Sequence, residues 1–360
     1  MKFNDNFSSL KDTISIFNQK NVPLFQNKVY NTKDQALAAE TGTVELVQSS
    51  ISGFVFNKTF DSSIMNYDEN YQNEQSNSSV FQDHLKKVFG ILNDFGLQNK
   101  KIIEIGCGKG IFFDILQKHG LDCWGFDPTY EGQNDRIIKE YFDERYSGIN
   151  ADVIIMRHTL EHITQPFSFI HTIAKANNYQ GKLFVEVPTF DWIVEKKAFW
   201  DIFYEHCNYF TEDTLGSMFE DSITGNFFGG QYIYLWADLS KLKPEITFRN
   251  FTLFPVLFFE ETIEKYRSMI RQLDNLIIWG AGAKGSTFLN LLDKDREHIN
   301  YVVDINPIKQ NRFIACTGHP IYGPEKISET SVKNILVSNE NYIQEISDML
   351  NRKDIKLISL

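Results

Sequence analysis

Cysteine is scarce in this sequence. Cys107, Cys123, Cys207 and Cys316 are the only four in 360 residues, too few and too dispersed for a disulfide framework or a CxxC metal site. Long apolar runs are missing as well. The longest, 251–259, is interrupted by Thr252 and Pro255 and falls short of the ~18 residues that span a bilayer. The opening MKFNDNFSSLKD lacks the apolar stretch of a signal peptide. Basic residues are outnumbered, 36 Lys+Arg against 47 Asp+Glu, for a net charge of −11. That balance argues against nucleic acid or an anionic membrane as the main partner, since both need a basic face. It leaves room for one phosphorylated small molecule in a local pocket. The expectation is a soluble, reduced, cytoplasmic protein.

Aromatic side chains are plentiful: 31 Phe, 15 Tyr and 5 Trp, within 42% hydrophobic and 23% charged residues. This is an ordinary globular mixture, far from the composition of disorder, and its length predicts two or three domains. Residues 1–75 are polar and weakly periodic and predict a small irregular module, closed by a Tyr/Asn/Gln/Ser-rich stretch over 67–79. From Ser78 or Ser79, Phe81, Leu85, Val88, Phe89 and Leu92 recur at helical spacing. A compact alternation follows: strands at 101–105, 122–126, 152–156 and 183–187, helices at 111–119 and 166–176, and a closing strand at 231–239. Strands separated by helices imply a parallel sheet covered on both faces. Beyond a linker at 241–244 comes an amphipathic helix at 260–273. A second alternation then has strands at 276–279, 301–303, 334–337 and 356–359. The expected architecture is α/β: two Rossmann-like units, at 76–240 and 241–360, behind the module at 1–75.

Each unit opens on a glycine-rich turn. The first, Glu104-Ile105-Gly106-Cys107-Gly108-Lys109-Gly110, follows a strand and starts a helix. Glycines there let the backbone pass close to a ligand at positive φ, and the helix start offers free N–H groups. Asp127 ends the next strand, where a carboxylate suits two ribose hydroxyls. Glu104, two residues before the first glycine, suits a ligand with an ammonium and a sulfonium and would repel a pyrophosphate. The combination favours S-adenosylmethionine over a dinucleotide. A turn that only packs helix on strand is the bland alternative, and the ordered strand, acid, glycines and second acid weigh against it. Tyr141 and Phe142 stand where a third strand would end and are placed to flank adenine, although most aromatics in so Phe-rich a chain belong to the core. The second turn, Gly280-Ala281-Gly282-Ala283-Lys284-Gly285, fits GxGxxG and is followed by Asp304. It reads as a dinucleotide site, as a seat for the pyrophosphate of a nucleotide-linked substrate on Gly282, Lys284 and Gly285, or as a fold without a ligand.

The chemistry-bearing residues lie beyond the fourth and fifth strands of the central unit. In a doubly wound sheet the strands' carboxyl ends face the ligand crevice, so His158 or His162, in Arg157-His158-Thr159-Leu160-Glu161-His162-Ile163, is expected beside the methyl donor. Tyr204, Glu205 and His206, flanked by aromatics, form a candidate proton-handling cluster of imidazole base, orienting carboxylate and phenol. A lone histidine is more often a satisfied core or surface residue, and His84, His119, His171 and His298 are assigned to that class.

The segments EIGCGKG (104–110), GFDP (125–128), LEHI (160–163), EVP (186–188), YEHCNYF (204–210), WGAGAKG (279–285) and VVDINPIKQNRFIACTGHPIYGPE (302–325) resemble the deoxysugar C-methyltransferase family over nearly the whole chain. The resemblance implies an N-terminal zinc-binding module, a class I S-adenosylmethionine methyltransferase domain and a C-terminal Rossmann-like domain. It also implies methylation at a carbon of a nucleotide-bound 4-keto-deoxysugar. By position, it implies His206 as general base, Glu205 as its acidic neighbour, His162 in the LxHI element and Tyr71 as a substrate-side tyrosine. This chain departs from the family in two places. Phe203 stands where the family has tyrosine, with Tyr204 in the following position, so an enolate-stabilising hydroxyl is missing or displaced. Ser49 and Ser52 stand where two zinc cysteines would be. Neutral hydroxyls do not replace thiolates around Zn²⁺, so no metal is expected.

The expected function is an S-adenosylmethionine-dependent methyltransferase of a nucleotide-activated sugar, most naturally at carbon through a base-generated enolate. The competing readings are an O- or N-methyltransferase of a related sugar or small metabolite, a silent cofactor-binding protein, and a nicotinamide enzyme built on the second turn.

Overall fold

The computed structural model describes residues 12–66, 71–245 and 251–360. The first four residues of the polar stretch at 67–79, and nearly all of the opening dodecapeptide, lie outside them. No described helix is long and apolar enough to cross a membrane.

The N-terminal residues build a regular sheet rather than the irregular module expected. Strand β1 (Thr13–Pro23) pairs antiparallel with β3 (Thr41–Ser49), and β4 (Val55–Asn57) extends the pair; β2 (Val29–Tyr30) and α1 (Lys33–Leu37) lie in the connection. Register shifts between Ser15 and Phe17 and between Lys20 and Val22 interrupt the two-residue alternation by which a strand is recognised in sequence. The serines at the zinc-cysteine positions serve the following turn: Ser49 Oγ accepts from the Ile51 and Ser52 amides, and Ser52 Oγ from Phe54. With neither cysteine nor histidine in residues 1–75, the donors present do not fit zinc.

The central unit begins with α2 (Ser79–Asp94), capped by the Ser78 hydroxyl. It continues through β5 (Lys101–Ile105), α3 (Ile111–Lys118), β6 (Asp122–Phe126), β7 (Ile137–Ile138), β8 (Val153–Arg157), α4 (Pro166–Ala176) and β9 (Lys182–Pro188). Helix α5 (Phe190–Lys196), strand β10 (Asn208–Tyr209), helix α6 (Glu212–Gly216) and strands β11 (Ser222–Phe227) and β12 (Tyr232–Asp238) complete it. The sheet order is β11-β12-β9-β8-β5-β6-β7, parallel from β9 to β7 and antiparallel at β12. The chain runs outward from β5 in one direction and later from β8 in the other, so the switch-point crevice opens between the carboxyl ends of these two strands. The C-terminal unit repeats the plan. Its elements are α7 (Glu260–Gln272), β13 (Leu276–Trp279), α8 (Ala283–Leu292), β14 (Ile299–Val303), β15 (Phe313–Ile314), β16 (Ile321–Tyr322), β17 (Asn334–Val337), α9 (Ile343–Leu350) and β18 (Lys356–Ser359), with sheet order β16-β14-β13-β17-β18.

Two short pairings stitch the units together. Strand β10 joins the edge of the N-terminal sheet through Asn208 opposite Phe56 and Tyr209 opposite Val55. Strand β15 pairs with β2. One apolar core accordingly spans all three parts, with Phe17 and Val44 from the N-terminal sheet, Phe199 and Trp200 from the central unit, and Phe259 and Phe288 from the C-terminal one. Phe17 is buried edge-on against Phe259, with ring centroids 6.0 Å apart. Phe17→Ala is expected to cost about 3–5 kcal/mol, read as a lower urea midpoint at unchanged protein concentration.

Candidate active site

The carboxyl ends of β5 and β8 face those of β13 and β17 across one cavity of about 770 Å³, which all three parts of the chain line. On its central wall lies the first glycine turn. Gly106 and Gly108 have φ of +77° and +55° and border the cavity. A β-carbon on Gly106 would run into the Thr159 side chain. Gly110, at φ +83°, caps α3 instead of facing the cavity. Asp127 holds the turn in shape: one carboxylate oxygen accepts from the Gly108 amide at 2.7 Å, and the other from the amide (2.8 Å) and hydroxyl (2.7 Å) of Thr129. Phe142 lines the cavity while its ring is anchored edge-on to Phe126, 5.2 Å away; Tyr141 beside it is exposed.

Glu104 modifies the electrostatic expectation. Its carboxyl is buried and one oxygen has no hydrogen-bond partner. Burial pushes its pKa up to about 8, only partly offset by the Arg157 guanidinium. The group is therefore largely protonated at neutral pH until a cationic ligand arrives.

Beside it stands a charged group that sequence reasoning missed. The fourth strand runs one residue further than expected and ends on Arg157, directly opposite Glu186 on β9. Arg157 Nε lies 2.6 Å from Glu186, and His84 Nε2, from α2, approaches the other carboxylate oxygen to 2.6 Å. Burial alone would raise the Glu186 pKa, but Arg157 and His84 hold it far below the usual carboxylate range. His84, assigned to the core from sequence, is thus buried against this cluster. Arg157 Nη2 is buried without a partner at the cavity wall. His158 sits at φ +49°, its ring edge-on to Tyr232 at 4.5 Å and Nε2 3.8 Å from Glu186.

On the opposite side, His206, His162, Glu161 and Tyr71 border the cavity. His206 is buried, with Phe203 4.1 Å away and His162 4.9 Å away between ring centroids. Burial holds its pKa well below the ordinary histidine value, and neighbouring His162, His158 and Lys284 push the same way, leaving a neutral imidazole. Two members of the expected cluster do not face it. Tyr204 points into the N-terminal sheet, where its hydroxyl accepts from the Asp61 amide at 3.0 Å. The Glu205 carboxylate also turns away, accepting from the Gln26 amide at 2.7 Å and from the Tyr71 hydroxyl. It is the Glu205 carbonyl that engages a ring, 2.9 Å from His162 Nδ1. The cause is backbone direction: Tyr204 and Glu205 form a turn ahead of β10 that sends both side chains to the N-terminal part, while Phe203 and His206 on either side of it reach the cavity.

The second turn forms the far wall. Gly282 borders the cavity; Gly285 does not, because its α-carbon packs against the Gly280 carbonyl and leaves no room for a side chain. Lys284 is engaged in an ion pair with Asp201 at 2.8 Å, a hydrogen bond to Gln231 at 2.9 Å and a stack over Trp192. Lys309, buried and bonded to the Ala281 carbonyl at 3.2 Å, is the ammonium nearest Gly282. Asp304 accepts from the Ala281 amide at 2.7 Å.

Comparison with known proteins agrees with this layout. Residues 76–222 match the family model of a methyltransferase domain, and residues 247–356 that of a C-methyltransferase C-terminal domain. The chain is 24% identical over 319 residues to the C-methyltransferase NovU of Streptomyces niveus, covering 77% of this chain and 76% of that one. The protein is an S-adenosylmethionine-dependent methyltransferase. A shorter match, 29% over 104 residues, is to the ubiquinone biosynthesis O-methyltransferase of Erwinia tasmaniensis and covers 25% of this methyltransferase and 42% of the relative. A solved S-adenosylmethionine-dependent methyltransferase from Archaeoglobus fulgidus aligns with 44% of this chain and 94% of its own, at 15% identity and a TM-score of 0.37.

The residues present fit the cofactor. A turn whose glycine at 106 admits no side chain and a buried carboxyl with an unpartnered oxygen at 104 suit a ligand that carries an ammonium and needs close backbone approach. A cation that binds beside Glu104 favours its ionised form, so below pH 8 binding must expel a proton. Affinity for S-adenosylhomocysteine is expected to rise up to ~50-fold between pH 6 and 8, about tenfold for the first unit and less for the second. Calorimetry in two buffers of different ionisation heat should show the proton released, and Glu104→Gln should flatten the profile. A flat wild-type profile would reject this role.

Proposed function

We propose that this methyltransferase adds a methyl group to a carbon next to a ketone in a nucleotide-activated deoxysugar. The observation that carries the reading is the neutral, buried His206 on one cavity that both glycine turns border. A carbon nucleophile must first lose a proton, and an uncharged imidazole is the form of histidine that accepts one. The similarity to NovU, a C-methyltransferase, supports carbon over oxygen.

The cofactor supplies an electrophilic methyl on a sulfonium. In this reading Glu104 meets its ammonium and the unpartnered Nη2 of Arg157 its carboxylate, with the Gly106–Gly108 backbone, Asp127, Phe142 and His158 around the rest. Much of the acceleration in such a displacement comes from alignment. The sugar lies between the two Rossmann-like units, its diphosphate towards Gly282 and Lys309. His206 removes the proton beside the ketone. His162, its Nδ1 proton bonded to the Glu205 carbonyl, and Tyr71, its hydroxyl bonded to the Glu205 carboxylate, line the acceptor side of the cavity. Phe203 against His206 favours a second reading, an oxygen or nitrogen acceptor, because no hydroxyl comes from that position.

The test is solvent exchange. With a nucleotide-linked 4-keto-deoxysugar in deuterium oxide, the enzyme should wash label into the carbon next to the ketone. His206→Ala should stop that exchange and lower kcat by roughly 10²–10⁴-fold while leaving S-adenosylhomocysteine affinity unchanged. Undiminished exchange in the variant would remove His206 as base, and no exchange in the wild type would favour the second reading.

A further inference from the structure

We propose that Glu161, His162 and His206 form a site for one borderline divalent transition ion, of the Zn²⁺ and Co²⁺ class, and that its occupancy and the use of His206 as a base exclude each other. The second half of this statement rests on the base reading above; the first does not.

One ligand atom from each of the three residues lies within 4.8 Å of the other two. Donors held at about 2.0–2.2 Å around a tetrahedral ion stand roughly 3.3–3.6 Å apart, so the three atoms need to close by little more than an ångström. The backbone already fixes the three carriers. Glu161 and His162 lie on the single 3₁₀ turn Leu160–His162, and the Cys207 amide, next to His206, donates to the Glu161 carbonyl at 3.0 Å. Glu161 is 2% exposed, and its Oε2 is buried with no hydrogen-bond partner. Its other oxygen lies 3.6 Å from His158 Nδ1. A buried carboxylate oxygen left unpaired calls for a cation. His162 is prepared as a ligand in the usual manner: Nδ1 bonds a backbone carbonyl, that of Glu205, which leaves the Nε2 lone pair free. His206 is buried beside it. All three border the cavity, so a further coordination position is open to it.

The donor set selects the ion. Two imidazoles and one carboxylate suit Zn²⁺, Co²⁺ or Ni²⁺, whereas Mg²⁺ and Ca²⁺ prefer oxygen alone. Lys284, the nearby ammonium, is already paired with Asp201 at 2.8 Å. A second grouping, His84, His158 and Glu186, has comparable spacing, but Arg157 lies 2.6 Å from Glu186 and occupies the place of the cation. An imidazole whose lone pair is bonded to a metal cannot accept a proton, so a filled site silences the base.

Tag-free, chelator-treated protein is titrated with Co²⁺ in the absence of substrate. The expected result is visible ligand-field absorption saturating at about one ion per chain and displaced by Zn²⁺. Glu161→Gln and, separately, His162→Asn should each weaken Co²⁺ binding at least tenfold. Retained S-adenosylhomocysteine affinity certifies the fold of each variant. Absence of the absorption in wild type, or binding unchanged in either folded variant, overturns the site. Exclusivity is tested by adding Zn²⁺ to the deuterium-exchange reaction. Exchange should stop and return with chelator, and exchange that continues at saturating Zn²⁺ overturns the exclusion. The titration contains no substrate, so it decides the metal site whether or not His206 proves to be the base.

Discussion

A carboxylate accepting a backbone amide holds each glycine turn in shape, and the same device is used twice. Asp127 receives the Gly108 amide at 2.7 Å and Asp304 receives that of Ala281 at 2.7 Å. The second oxygen of each closes the turn that follows, through Thr129 in one unit and Asn306 in the other. A glycine turn has too few side-chain contacts to fix its own path, and glycine loses the most conformational freedom on folding. Each anchor reaches across from the end of the neighbouring strand and supplies what the turn lacks. The backbone of both turns is therefore held in place at the cavity by these anchors.

The cavity between these turns is completed by the N-terminal sheet. Through β10 and the Glu205 carboxylate, that sheet sets the path of residues 204–207 and hence which side chains reach the interior. The segments beside it contribute Asn27 and Tyr71 to the wall directly. Ser49 and Ser52 close the turn after β3, and the apolar core makes the sheet a packed scaffold for the site.

Much of this arrangement is legible in the residues. Helix 166–176 and strands 101–105, 122–126, 276–279, 334–337 and 356–359 lie where their apolar patterns put them, because parallel strands buried on both faces read as short continuous apolar runs. The glycine turns are equally plain, since glycine at positive φ leaves a recognisable spacing. The N-terminal strands were hidden by bulges. The contacts of Tyr204, Glu205, Lys284 and Gly285 are not legible for one shared reason: their partners, Asp61, Gln26, Asp201 and Gly280, are set by packing rather than by local pattern. Arg157, Glu186 and His84 escaped notice because three separate elements bring them together. The one available signal was an arginine and a glutamate at equivalent ends of adjacent strands.

The apolar core that joins the N-terminal sheet to the C-terminal unit bears on how such enzymes diversify. Phe17 and Val44 pack in one cluster with Phe259, Ile263 and Phe288, while β15 borrows β2 as its pairing partner. A recombination that exchanged only the C-terminal third between homologues would leave mismatched halves of one interior. A change on one side of this interior therefore calls for a matching change on the other, head and tail together, around the methyl-transferring middle.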